Sequence, residues 1–186
     1  MKKIVLGVSN HHLHLTKEDY NLLFDEELTK KNDLFQPGEF AANQTVTIKT
    51  EKSQLERVRI LGPFRDYTQL EISKTDAYYL GINPPIRNSS DLIGASEVEI
   101  VGPLGSIKRE CAIIANRHIH MSTKDQIDLG LTFKKEVSIK VEGEKGGILN
   151  HVYLKVSDSY KLECHLDTDD ANSHLLKTND KIEIID

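Results

Sequence analysis

Several features that define particular protein classes are missing from this 186-residue chain. It has no tryptophan and only two cysteines, Cys111 and Cys164, too few for a disulfide framework, so we expect free thiols in a reducing compartment. No apolar run approaches the roughly 20 residues of a membrane-spanning helix, and the start of the chain lacks a secretory signal pattern. The net charge of −5 gives no general attraction to nucleic acids or acidic membranes. We therefore expect a soluble cytoplasmic protein that binds neither nucleic acid nor membrane.

The composition that remains is that of a globular protein, with 28% charged and 38% hydrophobic residues. The length suits one large domain or two small domains of roughly 90 residues each. Alternating polar and β-branched residues predict strands in ten segments. These segments are Lys3–Ser9, Gln44–Thr50, Leu55–Leu61, Thr68–Ile72, Glu97–Val101, Ser106–Arg109, Glu136–Val141, Ile148–Val156, Tyr160–Leu166 and Lys181–Ile185.

Helices are expected to be few and short. Thr16 and Ser122 are each followed by an acid three residues later, the pattern of a helix N-cap. Further helices are predicted at Lys74–Leu80 and Asp169–Leu176, and a linker at Asn83–Asp91. Strands about every ten residues with short capping helices favour β-barrels or sandwiches and a mainly β fold.

The most informative pattern is an H-x-H segment that occurs twice, as SNHHLHLT at Ser9–Thr16 and as ANRHIHMS at Ala115–Ser122, 106 residues later. A second correspondence relates Glu71–Ala77 to His165–Ala171 with an offset of 94 residues. A repeat of this length indicates two copies of one structural unit. Taken alone, it suggests a simple tandem division near residue 92.

The spacing of the repeated residues predicts metal binding. On a strand, residues i and i+2 face the same side, so the two histidines of each H-x-H segment can converge on one ion. Three nitrogen or oxygen ligands leave a position open on Zn²⁺, as in catalytic zinc sites, although such ligands also suit cobalt, nickel or iron. The predicted ligands are His12, His14 and Glu71 in one half and His118, His120 and His165 in the other.

Two such sites would form a two-metal centre if the halves face each other. The alternative is a duplicated barrel whose histidines only pack or lie at the surface. Alternation places Cys164 on the core face, so we interpret it as a packed thiol. His11 and Arg117 occupy equivalent positions and should point away from the metal face. Arg65 follows a Gly-Pro turn, where a guanidinium could grip an oxyanion, although most such arginines are solvated.

The chain resembles the phosphate propanoyltransferase family, the phosphotransacylases of propanediol-utilising bacterial microcompartments. The resemblance covers nearly the whole chain. It depends on four segments in the family's order, which are SNHHLHL at 9–15, LGPFRDYTQLEIS at Leu61–Ser73, NRHIHM at Asn116–Met121 and ECHLDTDD at Glu163–Asp170.

The resemblance implies two β-barrels capped by short helices, with a dinuclear zinc site between them. It implies interleaved barrels, residues 1–10 with 116–186 in one and residues 11–115 in the other. The implied activity is the reversible exchange of CoA for inorganic phosphate on a short-chain acyl-CoA, such as propanoyl-CoA or acetyl-CoA, by direct phosphate attack. The two histidine-containing triads match the ligands of two Zn²⁺ ions per chain, and Arg65 matches the family's phosphate-binding catalytic arginine.

The chain departs from the family pattern at two places. His11 stands where the family has arginine, which places any role of that arginine in anion binding in doubt. No N-terminal encapsulation extension is seen, so we expect a cytoplasmic location, with recruitment to a bacterial microcompartment through companion proteins as the alternative. The expected partners are acyl-CoA, CoA and phosphate. A homodimer and an acetate or propionate kinase of the same pathway are further partners compatible with this activity.

Two other functions stay open at this point. A metal-dependent thioesterase or phosphoesterase would use the same ligands to activate water. A non-enzymatic, zinc-stabilised binding module would use the metals only to stabilise the fold. The first would release CoA or phosphate without a phosphate acceptor, and the second would have closed metal sites and no turnover.

Overall fold

A computed structural model describes residues 2–185, which form fourteen strands and four short helices. This confirms the predicted mainly β fold. The strands are β1 Lys3–Ser9, β2 His12–His14, β3 Lys30–Asp33, β4 Phe40–Lys49, β5 Gln54–Gly62, β6 Gln69–Glu71, β7 Ile86–Arg87, β8 Ser96–Val101, β9 Ser106–Ala115, β10 His118–Met121, β11 Glu136–Val141, β12 Gly147–Val156, β13 Glu163–Asp167 and β14 Lys181–Ile185. The helices are α1 Lys17–Leu23, α2 Lys74–Leu80, α3 Thr123–Asp128 and α4 Thr168–Ser173.

The chain divides into two compact units, and the unit that contains both ends of the described chain is a closed six-stranded barrel. It comprises residues 2–9 and 116–185, and its strand order is β1-β13-β10-β12-β11-β14. The strands turn alternate apolar residues into the barrel, as their two-residue periodicity dictates. The core is formed by residues that include Leu6, Ile119, Met121, Ile139, Val152 and Leu166.

The second unit, Asn10–Ala115, is also a closed barrel. Hydrogen-bonded neighbours follow one another as β4-β5-β2-β6-β9-β8, and β8 pairs back to β4 to complete a ring of six strands. β3 and β7 pair on the outside of the ring, with β4 and β9. The alternative boundary near residue 92 lies inside this unit, between β7 and β8.

The two barrels repeat one pattern of strand pairing. β2 pairs antiparallel with β6 and parallel with β5, and β10 pairs in the same way with β13 and β12. β6 is then parallel to β9, as β13 is parallel to β1. The strand that completes the first ring therefore comes from the N-terminus, because β1 occupies the place that β9 has in the second. The internal repeat extends beyond the motifs to the whole barrel.

Local signals predicted most elements closely. The bounds of β1, β11, β14 and α2 agree with the predictions, and Thr16 and Ser122 cap helices by accepting hydrogen bonds from the backbone N–H three residues later. The predicted helix at Asp169–Leu176 is shorter, because Leu175 takes a left-handed conformation with φ of 55°.

Two predictions, one of a strand and one of a linker, need correction. Residues 160–162 precede β13 rather than belonging to it. The predicted linker at Asn83–Asp91 is wrong, because this segment contains β7, which adds to the edge of the second unit through β9. Within residues 2–185, no helix has the length and apolar character needed to cross a bilayer.

Candidate metal centre

The first predicted ligand set, His12, His14 and Glu71, comes together in the second unit. One ligand atom from each residue lies within 4.8 Å of the others, and all three residues are buried. The two histidines share one face of β2, while Leu13 between them packs into the core with no exposed surface. The β2–β6 ladder places Glu71 directly opposite His12. Two adjacent short strands therefore supply all three ligands.

A backbone carbonyl fixes the ring of His12. Nδ1 of His12 lies 2.9 Å from the carbonyl oxygen of Asn10, and a carbonyl can only accept, so Nδ1 carries the proton. The other ring nitrogen, Nε2, lies 3.5 Å from Oε2 of Glu71. A hydrogen bond from one ring nitrogen to a backbone carbonyl, which orients the ring, is typical of metal-ligating histidines.

His14 is held as a neutral imidazole. Burial, aided by the neighbouring His12 and the charge of Arg65, lowers the pKa of His14 to about 3. Its Nδ1 is buried and has no hydrogen-bond partner among the described residues, an arrangement that costs about 1–3 kcal/mol. A metal ion bound at Nδ1 would satisfy this atom, so the arrangement fits a metal site better than a packing role.

The carboxylate of Glu71 is held by two donors. Nε2 of Gln69 donates to Oε1 of Glu71 at 2.7 Å, and the Ser89 hydroxyl donates to the same oxygen at 3.0 Å. Gln69 is itself fixed by the backbone N–H of Ser90 at 2.7 Å. Neither serine was expected here, because both lie in the segment that the sequence predicted to be a linker. The prolines and turn-forming residues of Asn83–Asp91 predict irregular chain and give no sign that its serines contact Glu71 and Gln69.

The second predicted set, His118, His120 and His165, forms a matching group in the other unit, with one ligand atom from each residue within 4.8 Å of the others. The β10–β13 ladder sets His118 opposite His165, as β2–β6 sets His12 opposite Glu71. Nδ1 of His118 donates to the carbonyl oxygen of Asn116 at 2.8 Å. Burial holds the pKa of His118 well below its usual value. In both halves, the backbone carbonyl of the residue two positions before the first histidine, Asn10 or Asn116, orients the ring of that histidine.

The donor atoms of both groups are imidazole nitrogens, with one carboxylate, in sets of three. This combination fits Zn²⁺, whose catalytic sites keep a position open beside three protein ligands. Cys111 and Cys164 belong to neither group and are buried. Burial raises the pKa of Cys111 to about 12 and also raises that of Cys164, so neither is available as a thiolate. The interpretation of Cys164 as a packed thiol is confirmed.

His11 and Arg117 form equivalent contacts in the two halves. Nδ1 of His11 lies 3.3 Å from Oδ2 of Asp76 in α2. Arg117 forms two hydrogen bonds with Asp170 in α4, from Nε at 2.7 Å and from Nη2 at 2.6 Å. Each residue therefore ties the H-x-H strand to the helix that follows the third ligand. The two-point guanidinium contact is the stronger of the two.

Arg65 is anchored close to the first ligand group. Its backbone N–H donates to the carbonyl of Leu15 at 2.9 Å, and its charge contributes to the low pKa of His14. Nη2 donates to Oε1 of Glu39 at 2.6 Å, and Nη1 donates to the Tyr67 hydroxyl at 3.0 Å. A guanidinium has five N–H donors, so three are left without a partner among the described residues. Arg65 is thus fixed in place and retains donors for an anion.

Comparisons with known proteins identify the family that this chain resembles. The family model described as phosphate propanoyltransferase matches residues 5–177, a range that includes all six candidate ligands and Arg65. Phosphate propanoyltransferase from Thermotoga maritima is 46% identical over 98% of this chain and 89% of its own length. The chain belongs to the phosphate propanoyltransferase family. The phosphate propanoyltransferase of Priestia megaterium is 48% identical over 95% of this chain and 83% of its own length. That of Salmonella typhimurium is 45% identical over 92% of this chain and 83% of its own length.

Membership in the phosphate propanoyltransferase family covers both units, because the matched range begins in β1 and ends beyond α4. Besides His11, two histidines in the matched range, His151 and His174, belong to neither ligand group. His151 lies beside Glu136, with Nδ1 and Oε1 3.2 Å apart, and His174 donates from Nδ1 to the carbonyl of Lys145. Neither had a supporting pattern in the sequence, and neither has a counterpart histidine in the repeat.

Proposed function

We propose that this protein is a phosphate acyltransferase that exchanges the CoA of a short-chain acyl-CoA, propanoyl-CoA or acetyl-CoA, for inorganic phosphate. The observation that carries the proposal is the family match over residues 5–177, a range that contains two triads of buried or partly buried potential metal ligands. Family membership supports the transfer of an acyl group to phosphate. The choice of acyl chain, the metal and the course of the reaction are the finer parts of the proposal.

Each ligand triad is proposed to hold one Zn²⁺, and the two ions are proposed to act together on one substrate. The neutral imidazoles of His14 and His118, both with strongly lowered pKa values, offer lone pairs at neutral pH, which supports metal binding without loss of a proton. When bound, zinc would supply Lewis acidity that polarises the thioester carbonyl and stabilises negative charge. The similar ligand sets of the two halves support two ions with comparable roles.

Arg65 is proposed to bind and orient phosphate through the donors that Glu39 and Tyr67 leave free. Guanidinium donors bind phosphate oxygens in pairs and fix their direction, which lowers the entropic barrier to reaction. An oxygen of hydrogen phosphate forms a bond to the carbonyl carbon, and the bond from that carbon to the CoA sulfur breaks. The phosphate proton ends on the thiolate, giving an acyl phosphate and free CoA. The reverse reaction follows the same course.

No protein nucleophile is needed for this direct attack. Both cysteines are buried with raised pKa values, which is unsuited to a covalent acyl–thiol intermediate. The phosphate oxygen itself serves as the nucleophile in the proposed reaction.

The test is the release of CoA thiol from propanoyl-CoA by the purified protein, with and without phosphate, after its metal content has been measured. Release that requires phosphate and yields propanoyl phosphate is the expected result. Release at the same rate without phosphate would identify a thioesterase. A metal-loaded protein that releases no thiol under either condition would favour the non-enzymatic binding module.

A further inference from the structure

We propose that Glu163 is a positioning residue of the three-histidine group, where its carboxylate fixes the ring of His165 so that Nδ1 is the nitrogen offered to the metal. The inference rests on the proposed function, because it takes this group to be a metal site. It adds a residue that the predicted ligand sets do not contain, and it assigns a particular ligand atom to His165.

The contact that supports this role is short and buried. Oε2 of Glu163 lies 2.7 Å from Nε2 of His165, and the side chain of Glu163 is only 7% exposed. A carboxylate accepts the ring N–H, so Nε2 carries a proton and Nδ1 is the nitrogen left for the role of metal ligand. A buried carboxylate behind the non-ligating nitrogen fixes both the tautomer and the orientation of a metal-binding histidine.

The fold makes a specific place for this carboxylate. Glu163 and His165 are two residues apart on β13 and therefore share a face, and Glu163 lies opposite His120 in the β10–β13 ladder. On the neighbouring β1, residue 7 is glycine, and a Cβ atom there would come within 2.6 Å of Oε1 of Glu163. The missing side chain of Gly7 thus leaves the space that the carboxylate occupies. The carboxylate oxygens are not among the donor atoms grouped within 4.8 Å in this triad.

The other half of the repeat has the complementary arrangement. Gln69 lies opposite His14, as Glu163 lies opposite His120, and its amide donates to Glu71 at 2.7 Å. A carboxylate ligand needs a donor behind it, whereas an imidazole ligand needs an acceptor. The repeat meets these two needs in opposite ways. One half has an acidic ligand, Glu71, supported by a neutral residue, Gln69. The other half has a neutral ligand, His165, supported by an acidic residue, Glu163. Each half thereby retains one carboxylate to balance the charge of its metal.

The first experiment uses the unaltered, zinc-loaded protein and long-range proton–nitrogen NMR spectra of its histidine rings. We expect His165 to be protonated at Nε2 and bound to zinc through Nδ1. Binding through Nε2 would overturn the role of Glu163 while leaving the metal site and the proposed function intact. A His165 ring that does not respond to zinc would instead remove the metal site, and with it the metal-dependent function.

The second experiment measures zinc affinity by competition with a chromophoric chelator. Glu163→Gln should weaken one of two zinc-binding events by about 10–100-fold and leave the other unchanged, the usual effect of losing an outer carboxylate. Glu163→Asp should restore part of the loss, because it keeps an acceptor of the same charge. Unchanged affinity of both sites in a folded Glu163→Gln protein would overturn the proposal.

The chain offers a matched control for the loss of a Glu–His contact. Glu136 lies 3.2 Å from His151 in the same unit, but His151 is exposed and belongs to neither triad. Glu136→Gln should leave both zinc affinities at the wild-type values. A comparable loss in this control would show that the effect of Glu163→Gln is not specific to the metal group.

Discussion

At the scale of single residues, each ligand's role depends on what lies behind it. The ring of His12 is fixed by a backbone carbonyl, the carboxylate of Glu71 by an amide and a hydroxyl, and the ring of His165 by a carboxylate. In the proposed metal sites, these partners orient the side chains that would bind the ion. Such outer contacts hold the side chains in binding geometry before an ion would bind. The conformational entropy of these side chains is therefore lost during folding and not during metal binding.

Substitution of Arg65 should separate phosphate binding from acyl-CoA binding. Arg65→Ala removes charge-assisted hydrogen bonds worth about 1.5–3 kcal/mol, so the KM for phosphate should rise by about 10–100-fold. The KM for acyl-CoA should change by less than about threefold. Arg65→Lys keeps the charge but not the paired donors, so its KM for phosphate should lie between those of the wild type and Arg65→Ala. Steady-state kinetics with each substrate varied in turn provides the measurement.

Equal increases in both KM values would exclude a specific role of Arg65 in phosphate binding. A suitable control is Arg87→Ala, which removes an arginine that donates to the backbone carbonyls of Ile86 and Ile93. This variant should show wild-type kinetics for both substrates.

Removal of a predicted ligand should remove metal from one group only. Glu71→Ala and His165→Ala should each lower bound zinc from about two ions to about one per chain, because two remaining ligands hold zinc weakly. Metal analysis after dialysis against a mild chelator measures the result. His151→Ala, which removes a histidine outside both triads, should retain the full zinc content. Full occupancy in either ligand variant would remove that residue from the ligand set.

At the scale of elements, prediction succeeded where the signal is local. A hydroxyl followed by an acid three residues later predicted α1 and α3, and alternation with β-branched residues predicted β1, β11 and β14. β3 has four exposed residues and β7 has only two residues, so neither shows the alternation of a half-buried strand. They form because a neighbouring strand offers free backbone groups, which depends on contacts distant in the sequence.

The helix ends offer a test of backbone strain. After α2 the left-handed residue is Gly81, whereas the equivalent residue after α4 is Leu175, with φ of 55° and 64% exposure. Leu175→Gly should raise the free energy of unfolding by about 1 kcal/mol, because glycine avoids the left-handed penalty and little apolar burial is lost. Urea denaturation measures the change. Leu175→Ala keeps the strain and should not stabilise; a stabilising alanine would assign the effect to the leucine side chain instead.

An ion pair between buried Asp19 and partly exposed Arg109 connects α1 to β9, the strand beside the one that carries Glu71. Both oxygens of Asp19 accept hydrogen bonds from Arg109 of β9, and the Thr68 hydroxyl, just before β6, donates to Asp19 at 2.5 Å. Although burial acts to raise it, the pKa of Asp19 is lowered by the bonds from Arg109 and Thr68. The carboxylate therefore stabilises the fold above about pH 4, and this contribution is lost as pH falls through the lower, folded-state pKa.

Asp19→Asn should accordingly destabilise the protein by about 2 kcal/mol at pH 7, because Arg109 loses its charged partner. Denaturation at several pH values measures the difference. The gap in stability between wild type and Asp19→Asn should shrink as pH falls from about 4 through the lower, folded-state pKa, below which the wild-type carboxylate is also neutral. A gap that is independent of pH would show that the charge of Asp19 is not what stabilises this contact.

At the scale of the whole molecule, the repeat allowed much of the site to be predicted. Two H-x-H segments and two matching third ligands identified six residues that lie in two compact groups. Ser89 and Ser90 were not predicted, because a turn distant in the sequence brings them to Glu71 and Gln69. Gln69 and Glu163 each lie two residues before their partner on the same strand, and that spacing shows which side chains share a face but not which of them form a hydrogen bond. The location of a metal centre between the barrels stays a prediction, as do the interleaved domain division, a homodimer, a pathway kinase and recruitment to a microcompartment.

If the two metal ions act together, loss of either ligand set should abolish turnover. We expect His12→Ala and His118→Ala each to lower kcat by more than about 100-fold, since each removes Lewis acidity worth several kcal/mol. Thiol-release kinetics on proteins of known metal content measures this. Substantial turnover in one of the two variants would assign that triad a structural role and reduce the mechanism to a single ion.

The most direct test of the proposed reaction follows the oxygen atoms of phosphate. Propanoyl-CoA is incubated with phosphate fully labelled with oxygen-18, and the products are analysed by mass spectrometry. Direct attack predicts propanoyl phosphate that retains every labelled oxygen, including the one that bridges carbon and phosphorus, with one CoA thiol released for each. Release of CoA with formation of unlabelled propanoate and no acyl phosphate would contradict the acyltransferase account.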